Sequence, residues 1–256
     1  MARRITDAEI GTLLDTAREA GRAILGIYET EFEVRAKDDA SPVTEADVLS
    51  ESIILPVLRE ITPEIPIIAE EAYAAGDRPD VSGGEFWLVD ALDGTKEFVK
   101  RTGEFTVNIG LIRDNLPVFG IVHAPAMVTT YWGGENGVFR QSGDGAAEPI
   151  AVRAPGEEGL VVMTSRSHRA NEEEFLEDYT VRDEMHAGSS IKFCLVAAGE
   201  ADFYPRLGPT CEWDTAAGHA ILRAAGGSVR TLDGGDLKYG KPDFLNPFFL
   251  ARGDWS

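Results

Sequence analysis

The sequence has little cysteine and no long hydrophobic run among its 256 residues. Two cysteines, Cys194 and Cys211, cannot build a disulfide framework, and such usage is typical of a reducing compartment. No uncharged apolar stretch approaches the roughly 18 residues that a transmembrane helix requires. The first residues include two arginines but no apolar segment of the kind found in secretory signals. We therefore expect a cytoplasmic protein without a membrane-spanning helix.

Basic residues are also scarce, since 24 Lys and Arg stand against 44 Asp and Glu and give a formal net charge of −20. Non-specific binding to nucleic acid requires a basic face, so this balance excludes nucleic acid as a partner. Apolar residues make up 43% of the chain, which excludes a disordered protein and indicates a globular one. Nothing in the sequence predicts a protein partner. The excess carboxylates either solvate the surface or hold cations locally.

Helix and strand patterns are mixed throughout the chain, which predicts an α/β or α+β fold. Capping boxes that begin at Thr6 and Thr44 predict two helices. Alternating residues over 32–36 and apolar runs at 66–69 and 86–89 predict short strands.

An antiparallel meander is expected over 105–139, where turn signals separate apolar runs. The stretch 142–159 is rich in Gly, Ala and Pro, so we expect one unit at 1–142 and a second at 143–256. The second unit again alternates strands and helices. Its predicted strands are 160–164 and 202–204, and its predicted helices are 172–179, 189–198 and 214–225.

The sharpest local feature follows the apolar run 86–89 and reads Asp90-Ala91-Leu92-Asp93-Gly94-Thr95. Two carboxylates three residues apart beyond a strand end can share hard cations. Glycine permits close approach of the backbone to a ligand, and the free N–H groups at a helix start face anions. Taken alone, the motif fits an acid-rich turn with a helix cap equally well.

Other acids also lie at predicted strand ends or helix starts: Asp47 after Thr44, Glu70-Glu71 after the run 66–69, and Asp214. Each alone is more often an ordinary cap or a solvated strand end. Their combination with the 90–95 motif fits a metal-assisted phosphoryl site, because Mg²⁺ prefers carboxylate oxygens. Four scattered histidines indicate no zinc site.

These motifs resemble those of the inositol monophosphatase superfamily of Mg²⁺-dependent, lithium-sensitive phosphatases. The matching residues are Glu70-Glu71, Asp90-x-Leu92-Asp93-Gly94-Thr95 and Trp213-Asp214-x-Ala216-x-Gly218, in the family's order. Ala91 stands where the family commonly has proline. The resemblance covers essentially the whole chain and implies the layered αβαβα sandwich of this superfamily, with the site between its two parts.

Flanking segments resemble the 3′(2′),5′-bisphosphate nucleotidase branch of that superfamily, the CysQ type. They are Lys96-Glu97-Phe98, the segment 103–109, the segment 188–194 and Tyr204-Pro205-Arg206. This resemblance implies hydrolysis of the 3′-phosphate of adenosine 3′,5′-bisphosphate to AMP and phosphate, and a further activity on phosphoadenosine phosphosulfate, in sulfur assimilation. It also allows a peripheral association with the inner membrane.

Two alternatives stay open at this point. One is an inositol monophosphatase or another sugar-phosphate phosphatase of the same superfamily. The other, more remote, is a non-catalytic protein that binds metal or nucleotide on the same fold.

The resemblance also implies ligands for two Mg²⁺ ions. Glu70, Asp90 and the Leu92 carbonyl would hold the first ion. Asp90, Asp93 and Asp214 would hold the second, so that Asp90 bridges the two.

Catalytic roles are implied in the same way. Glu70 and the Asp47–Thr95 pair would position the attacking water and accept its proton, and the family allows a third Mg²⁺ near Asp47. The Gly94 and Thr95 N–H groups would bind the transferring phosphate.

Four further residues are candidates for contact with the nucleotide. Lys192 falls in the first turn of a predicted helix, where a cation opposes the helix dipole unless it faces an anion. Ser189 is expected to cap that helix, and Arg206 to clamp the 5′-phosphate from a Pro/Gly-rich loop with Lys192. His168 follows a predicted strand. The resemblance adds substrate contacts at Glu70, Leu92, Asp93, Gly94, Thr95 and Asp214.

Overall fold

A computed structural model gives the fold and describes residues 4–36, 42–164 and 169–255. Within these ranges the helices are α1 (Asp7–Tyr28), α2 (Glu45–Ile61), α3 (Glu70–Ala74), α4 (Thr95–Val99), α5 (Arg169–Leu176), α6 (Ile191–Ala197) and α7 (Ala216–Ala224). None of these helices is long and apolar enough to cross a bilayer.

The described strands form three sheets. A short antiparallel pair consists of β1 (Arg35–Ala36) and β2 (Pro42–Val43). The larger sheet contains, in spatial order, β3 (Ile67–Ala69), β4 (Glu85–Asp93), β5 (Thr106–Arg113), β6 (Leu116–Ala124), β7 (Thr129–Gly134), β8 (Gly137–Ser142) and β9 (Glu148–Pro149). The smaller sheet has the order β11 (Val181–His186), β10 (Leu160–Thr164), β12 (Phe203–Arg206), β14 (Phe249–Arg252) and β13 (Ser228–Thr231).

The outer helical layer, α1 and α2, begins at the two predicted capping boxes. The Thr6 side chain accepts a hydrogen bond from the Glu9 N–H at the start of α1. The Thr44 side chain accepts one from the Ala46 N–H at the start of α2. Both helices pack on one face of the larger sheet, where Trp87 and Val89 of β4 point. Side chains alternate along a strand, so the residues between them supply the opposite face.

The middle helical layer, α6 and α7, lies between the two sheets. Phe86 and Leu88 of β4 belong to this second core, together with Ile221 of α7. The backbone of α7 approaches β6 so closely that a Cβ on Gly120 would lie 2.3 Å from the Ala217 carbonyl oxygen. A glycine is therefore required at that contact.

The last layer is α5, which covers the outer face of the smaller sheet. Leu176 and neighbouring apolar residues pack there against Leu160, Val162 and Phe203. The order of layers is helix, sheet, helix, sheet, helix, so the predicted αβαβα sandwich is confirmed.

Several elements differ from their predictions. Only Arg35–Ala36 of the segment 32–36 forms a strand, and the strand predicted at 86–89 continues to Asp93. The strands β11, β13 and β14 were not predicted. All three are short, and Arg182, Asp183 and Glu184 interrupt the alternation in β11. The larger sheet also continues beyond residue 142, since β9 pairs with β8.

Candidate active site

A cluster of carboxylates lies where β3 and β4 end. These two strands are parallel, so their carboxyl ends meet at one edge, with Glu70 after β3 and Asp90 late in β4. Asp214 reaches the same place from the segment before α7. One carboxylate oxygen from each of these three residues lies within 4.8 Å of the others.

The cluster concentrates negative charge at a site where Asp90 is buried and Glu70 and Asp214 are half-buried. Burial raises the pKa of Asp90 well above its usual range, and repulsion from Glu70, Asp93 and Asp214 raises it further. Burial and repulsion from Asp93 and Glu70 also raise the pKa of Asp214. Burial raises the pKa of Asp93 to about 6, although the positive charge of Lys192 opposes this shift. An oxygen-rich set of mutually repelling carboxylates fits a hard divalent cation.

The position of Glu70 depends on a residue that sequence reasoning missed. The buried carboxylate of Glu51, on α2, accepts hydrogen bonds from the N–H groups of Glu71 and Ala72, both at 2.9 Å. It therefore caps the first turn of α3, in which Glu70 is the first residue. No local pattern indicates this role, since Glu51 lies mid-helix and distant in sequence.

Asp47 and Thr95 are brought together. The buried Asp47 accepts hydrogen bonds through Oδ2 from the N–H and hydroxyl of Thr44, both at 2.8 Å. Its Oδ1 accepts a hydrogen bond from the Thr95 hydroxyl at 3.2 Å, which also lies 3.3 Å from the Leu92 carbonyl oxygen. One carboxylate thus caps its own helix and reaches the loop after β4.

Gly94 has a left-handed backbone with φ of 90°. A Cβ at this position would lie 3.0 Å from the Glu104 carbonyl oxygen and 3.3 Å from the Ser189 Cβ. Both the conformation and the contact therefore favour glycine. The loop after β4 packs directly against the turn that precedes α6.

The cationic side of the site comes from α6 and β12. Lys192 is buried, and its Nζ donates to the carbonyl oxygens of Ala187 at 3.2 Å and Ser189 at 2.6 Å. The same Nζ lies 5.2 Å from the centre of the Tyr204 ring. Burial and the nearby Arg206 lower the pKa of Lys192 to about 8, against the opposing attraction of carboxylates.

The expectations for Ser189 and Arg206 need correction. Ser190, not Ser189, is the N-cap residue of α6, and its side chain makes no capping hydrogen bond. Ser189 has a φ of 44°, and its buried hydroxyl has no hydrogen-bond partner among the described residues. Arg206 is the last residue of β12 rather than part of a loop, and it donates to the Pro209 carbonyl oxygen at 3.0 Å.

Asp214 does not cap α7 either, because that helix begins at Ala216 with Thr215 as its N-cap residue. Its Oδ2 accepts a hydrogen bond from the Cys211 N–H at 2.9 Å. The neighbouring Glu212 is fully buried and accepts from the Lys241 N–H at 2.9 Å and the Lys241 Nζ at 2.6 Å. The segment that carries Asp214 is therefore anchored from behind.

A cavity of about 250 Å³ joins the anionic and cationic sides. Its lining includes all the predicted metal and phosphate residues within the described ranges: Glu70, Asp90, Leu92, Asp93, Gly94, Thr95, Ser189, Lys192, Arg206 and Asp214. Asp47 reaches this cavity through Thr95. His168 lies outside the described residues, so its predicted nucleotide contact stays a prediction.

The chain is similar to known proteins over most of its length. The model of the inositol monophosphatase family matches residues 7–252. A 3′(2′),5′-bisphosphate nucleotidase CysQ of Salmonella typhimurium is 46% identical over 237 residues, which cover 91% of this chain and 95% of that protein. A protein of the same name from Escherichia coli K12 is 44% identical over 244 residues, with the same two coverages.

Solved structures of related proteins are also similar to this fold. The crystal structure of CysQ from Bacteroides thetaiotaomicron has a TM-score of 0.79 and 36% identity, over 95% of this chain and 96% of that one. An IMPase from Thermotoga maritima has a TM-score of 0.78 and 26% identity, over 95% and 91% of the two chains. The predicted family is confirmed: the chain belongs to the inositol monophosphatase family.

Proposed function

We propose that this protein is a divalent-metal-dependent 3′(2′),5′-bisphosphate nucleotidase of the CysQ type, which converts adenosine 3′,5′-bisphosphate to AMP and phosphate. One observation carries the proposal. Lys192 and Arg206 line the same cavity as the carboxylate cluster. A substrate with one phosphate at the carboxylates and a second anionic group at these cations fits that arrangement. Relatives at 44–46% identity bear the corresponding name.

Family membership implies dependence on a divalent metal, and the donor set supports Mg²⁺. Glu70, Asp90 and the Leu92 carbonyl would hold one ion, while Asp90, Asp93 and Asp214 would hold another. When bound, such ions supply Lewis-acid chemistry, which polarises phosphoryl oxygens and makes water a better nucleophile at neutral pH.

The protein's own groups position and deprotonate the attacking water. Glu70 and Thr95 line the cavity at the carboxylates, and the attacking water would lie between them. The Thr95 hydroxyl already donates to Asp47 Oδ1. A proton taken from the water by the Thr95 oxygen is therefore matched by one passed to Asp47, which acts as general base through the hydroxyl.

The non-reacting phosphate would be bound by Ser189, Lys192 and Arg206. The Ser189 hydroxyl is buried and has no hydrogen-bond partner in the described part of the chain, so a phosphate oxygen would satisfy it. The Lys192 ammonium is held in place by two carbonyl oxygens. Arg206 adds a planar donor suited to phosphate.

The test is phosphate release from three substrates: adenosine 3′,5′-bisphosphate, inositol 1-phosphate and fructose 1,6-bisphosphate. Each is measured with Mg²⁺, with EDTA, and with Mg²⁺ plus Li⁺. We expect Mg²⁺-dependent, Li⁺-inhibited turnover with the highest kcat/KM for the nucleotide. A preference for either sugar phosphate would overturn the nucleotidase assignment and leave the metal site. Absence of turnover with all three would favour a binding protein.

A further inference from the structure

A buried polar network connects Asp93 to the turn that carries Ser189 and leads into α6, the helix of Lys192. Ser190 N–H donates to Asp93 Oδ2 at 2.6 Å, and the Asn108 side-chain amide donates to the same oxygen at 3.3 Å. Ser190 Oγ in turn donates to Asn108 Oδ1 at 2.7 Å. Thr106, Asn108 and Ser190 are each at most 2% exposed. These three side chains are therefore shielded from bulk water, whereas Asp93 is half-buried and borders the cavity.

The direction of every bond in this network is determined. A carboxylate oxygen only accepts, so the Asn108 NH₂ group must face Asp93 and its carbonyl must face Ser190. Ser190 Oγ has one hydrogen, which Asn108 Oδ1 takes. Thr106 Oγ1, at 2.9 Å from Ser190 Oγ, must then be the donor of that pair. Such a fully satisfied network links its two ends, so a shift at one end is passed to the other.

The network's other end is the turn 187–190. Lys192 Nζ donates to the carbonyl oxygens of Ala187 and Ser189, and Gly188 N–H donates to Glu104 Oε2 at 2.9 Å. These contacts surround Ser189, whose φ of 44° lies in the left-handed region that non-glycine residues rarely adopt. The position of Ser190 thus determines where the Ser189 hydroxyl and the Lys192 ammonium point.

We propose that Asn108 and Ser190 are positioning residues that couple cation binding at Asp93 to nucleotide binding at Ser189 and Lys192. The inference rests on the proposed function. Asp93 Oδ2 is committed to the network, which leaves Oδ1 for a cation. A cation at Oδ1 fixes the carboxylate, the carboxylate fixes Ser190 N–H, and the turn is then ordered for the nucleotide. By linkage, bound nucleotide favours the cation by the same factor.

The experiment measures the coupling without turnover. Isothermal titration calorimetry gives the Kd of AMP for the full chain in EDTA and in saturating Mg²⁺, and the ratio of the two values is the coupling factor. We expect a factor of about 10 or more in the unaltered protein, within the usual range for coupled sites. Direct contact between AMP and Mg²⁺ also adds to this factor, so the network is tested by the difference between variants.

Asn108→Ala should reduce the coupling factor at least fivefold, while the Kd of AMP in EDTA changes by less than about threefold. Ser190→Ala keeps the N–H but removes the hydroxyl, and it serves where Asn108→Ala does not fold. The double variant should lose no more coupling than either single variant, because the two residues act as one unit.

Thr62→Val is the matched control. Thr62 is fully buried and accepts a hydrogen bond from Trp87 Nε1 at 2.9 Å, on the opposite face of the larger sheet from α6. Its loss should lower stability and leave the coupling factor unchanged.

Two results would overturn the inference, and they are distinguishable. If the unaltered protein does not bind AMP, the coupling fails, and phosphate release from adenosine 3′,5′-bisphosphate shows whether the proposed function fails with it. If the unaltered protein binds AMP but Asn108→Ala and Ser190→Ala weaken it equally in EDTA and Mg²⁺, the network is structural only, and the proposed function stands.

Discussion

Replacement of Lys192 by methionine separates the binding of a bisphosphate from chemistry at the carboxylates. The Lys192 side chain is almost completely buried, with 4% exposure for the residue. Methionine keeps an unbranched chain of similar length and removes the ammonium group. The carboxylate cluster is contributed by other segments, so the substitution removes none of the proposed metal ligands.

The magnitude follows from the contacts that are lost. A hydrogen bond to a charged group contributes about 1.5–3 kcal/mol. Since 1.4 kcal/mol is a factor of ten, loss of the phosphate contact should raise KM by about 10- to 150-fold. The carbonyl oxygens of Ala187 and Ser189 also lose their donor, which costs about 1–3 kcal/mol of stability for each buried acceptor. Removal of a buried ammonium offsets part of that cost.

The assay compares kcat and KM for adenosine 3′,5′-bisphosphate and for inositol 1-phosphate. We expect the large rise in KM for the nucleotide, and a change within about threefold for the monophosphate, which presents no second phosphate. Lys238→Met is the matched control, because Lys238 is exposed and the same charge is removed elsewhere. Equal losses with both substrates would refute the assignment of Lys192 to the second phosphate.

Three other perturbations test the metal ligands and the fold. Asp93→Asn removes a charged ligand and should reduce kcat/KM by at least about 100-fold, or 2.7 kcal/mol, at fixed Mg²⁺; near-normal turnover would remove Asp93 from the metal site. Glu51→Gln leaves one N–H at the start of α3 without its acceptor, so Glu70 is less well positioned. The Mg²⁺ concentration for half-maximal activity should rise by about tenfold. An unchanged Mg²⁺ concentration would contradict this role of Glu51. Burial lowers the pKa of His219 from 6.5 to about 3. Between these two pH values the unfolded chain binds a proton that the folded protein does not. The free energy of unfolding is therefore highest above pH 6.5 and decreases as the pH is lowered below it. Urea unfolding should show a loss of about 2 kcal/mol from this group between pH 6.5 and 5, which His219→Gln abolishes; an identical pH slope in the variant would contradict the assignment.

The parts of the fold that follow local rules were predictable from sequence. Thr6 and Thr44 each have an acid three residues later, and both capping boxes are present. The turn signals at Asp114-Asn115 correspond to a tight connection between β5 and β6, in which both residues have positive φ. Such features depend on hydrogen bonds within one segment, so the sequence contains them in full.

The parts of the site that depend on distant segments were not predictable in this way. Glu51 resembles any acid on a helix, and its role appears only where α2 meets the start of α3. Asn108 occupies a fully buried strand position, where a polar residue is unusual without a partner. The presence of Asn108 among the apolar residues of this strand is the one indication of its role that the sequence contains. Its partners, Asp93 and Ser190, are supplied by tertiary structure.

One exception in the strand pairing explains why the carboxylates meet at all. In the larger sheet, as described, β3 and β4 are parallel and every other pair is antiparallel. Antiparallel pairing of β3 would have carried Glu70 to the edge opposite Asp90. The register of β4 with β5 then shifts between Asp90 and Asp93. Because such a bulge redirects the side chains that follow it, Asp93 points toward the cavity shared with Asp90 rather than continuing the ladder's alternation. The proposed metal site therefore depends on one parallel pair and one bulge, and both are seen only once the strands are paired.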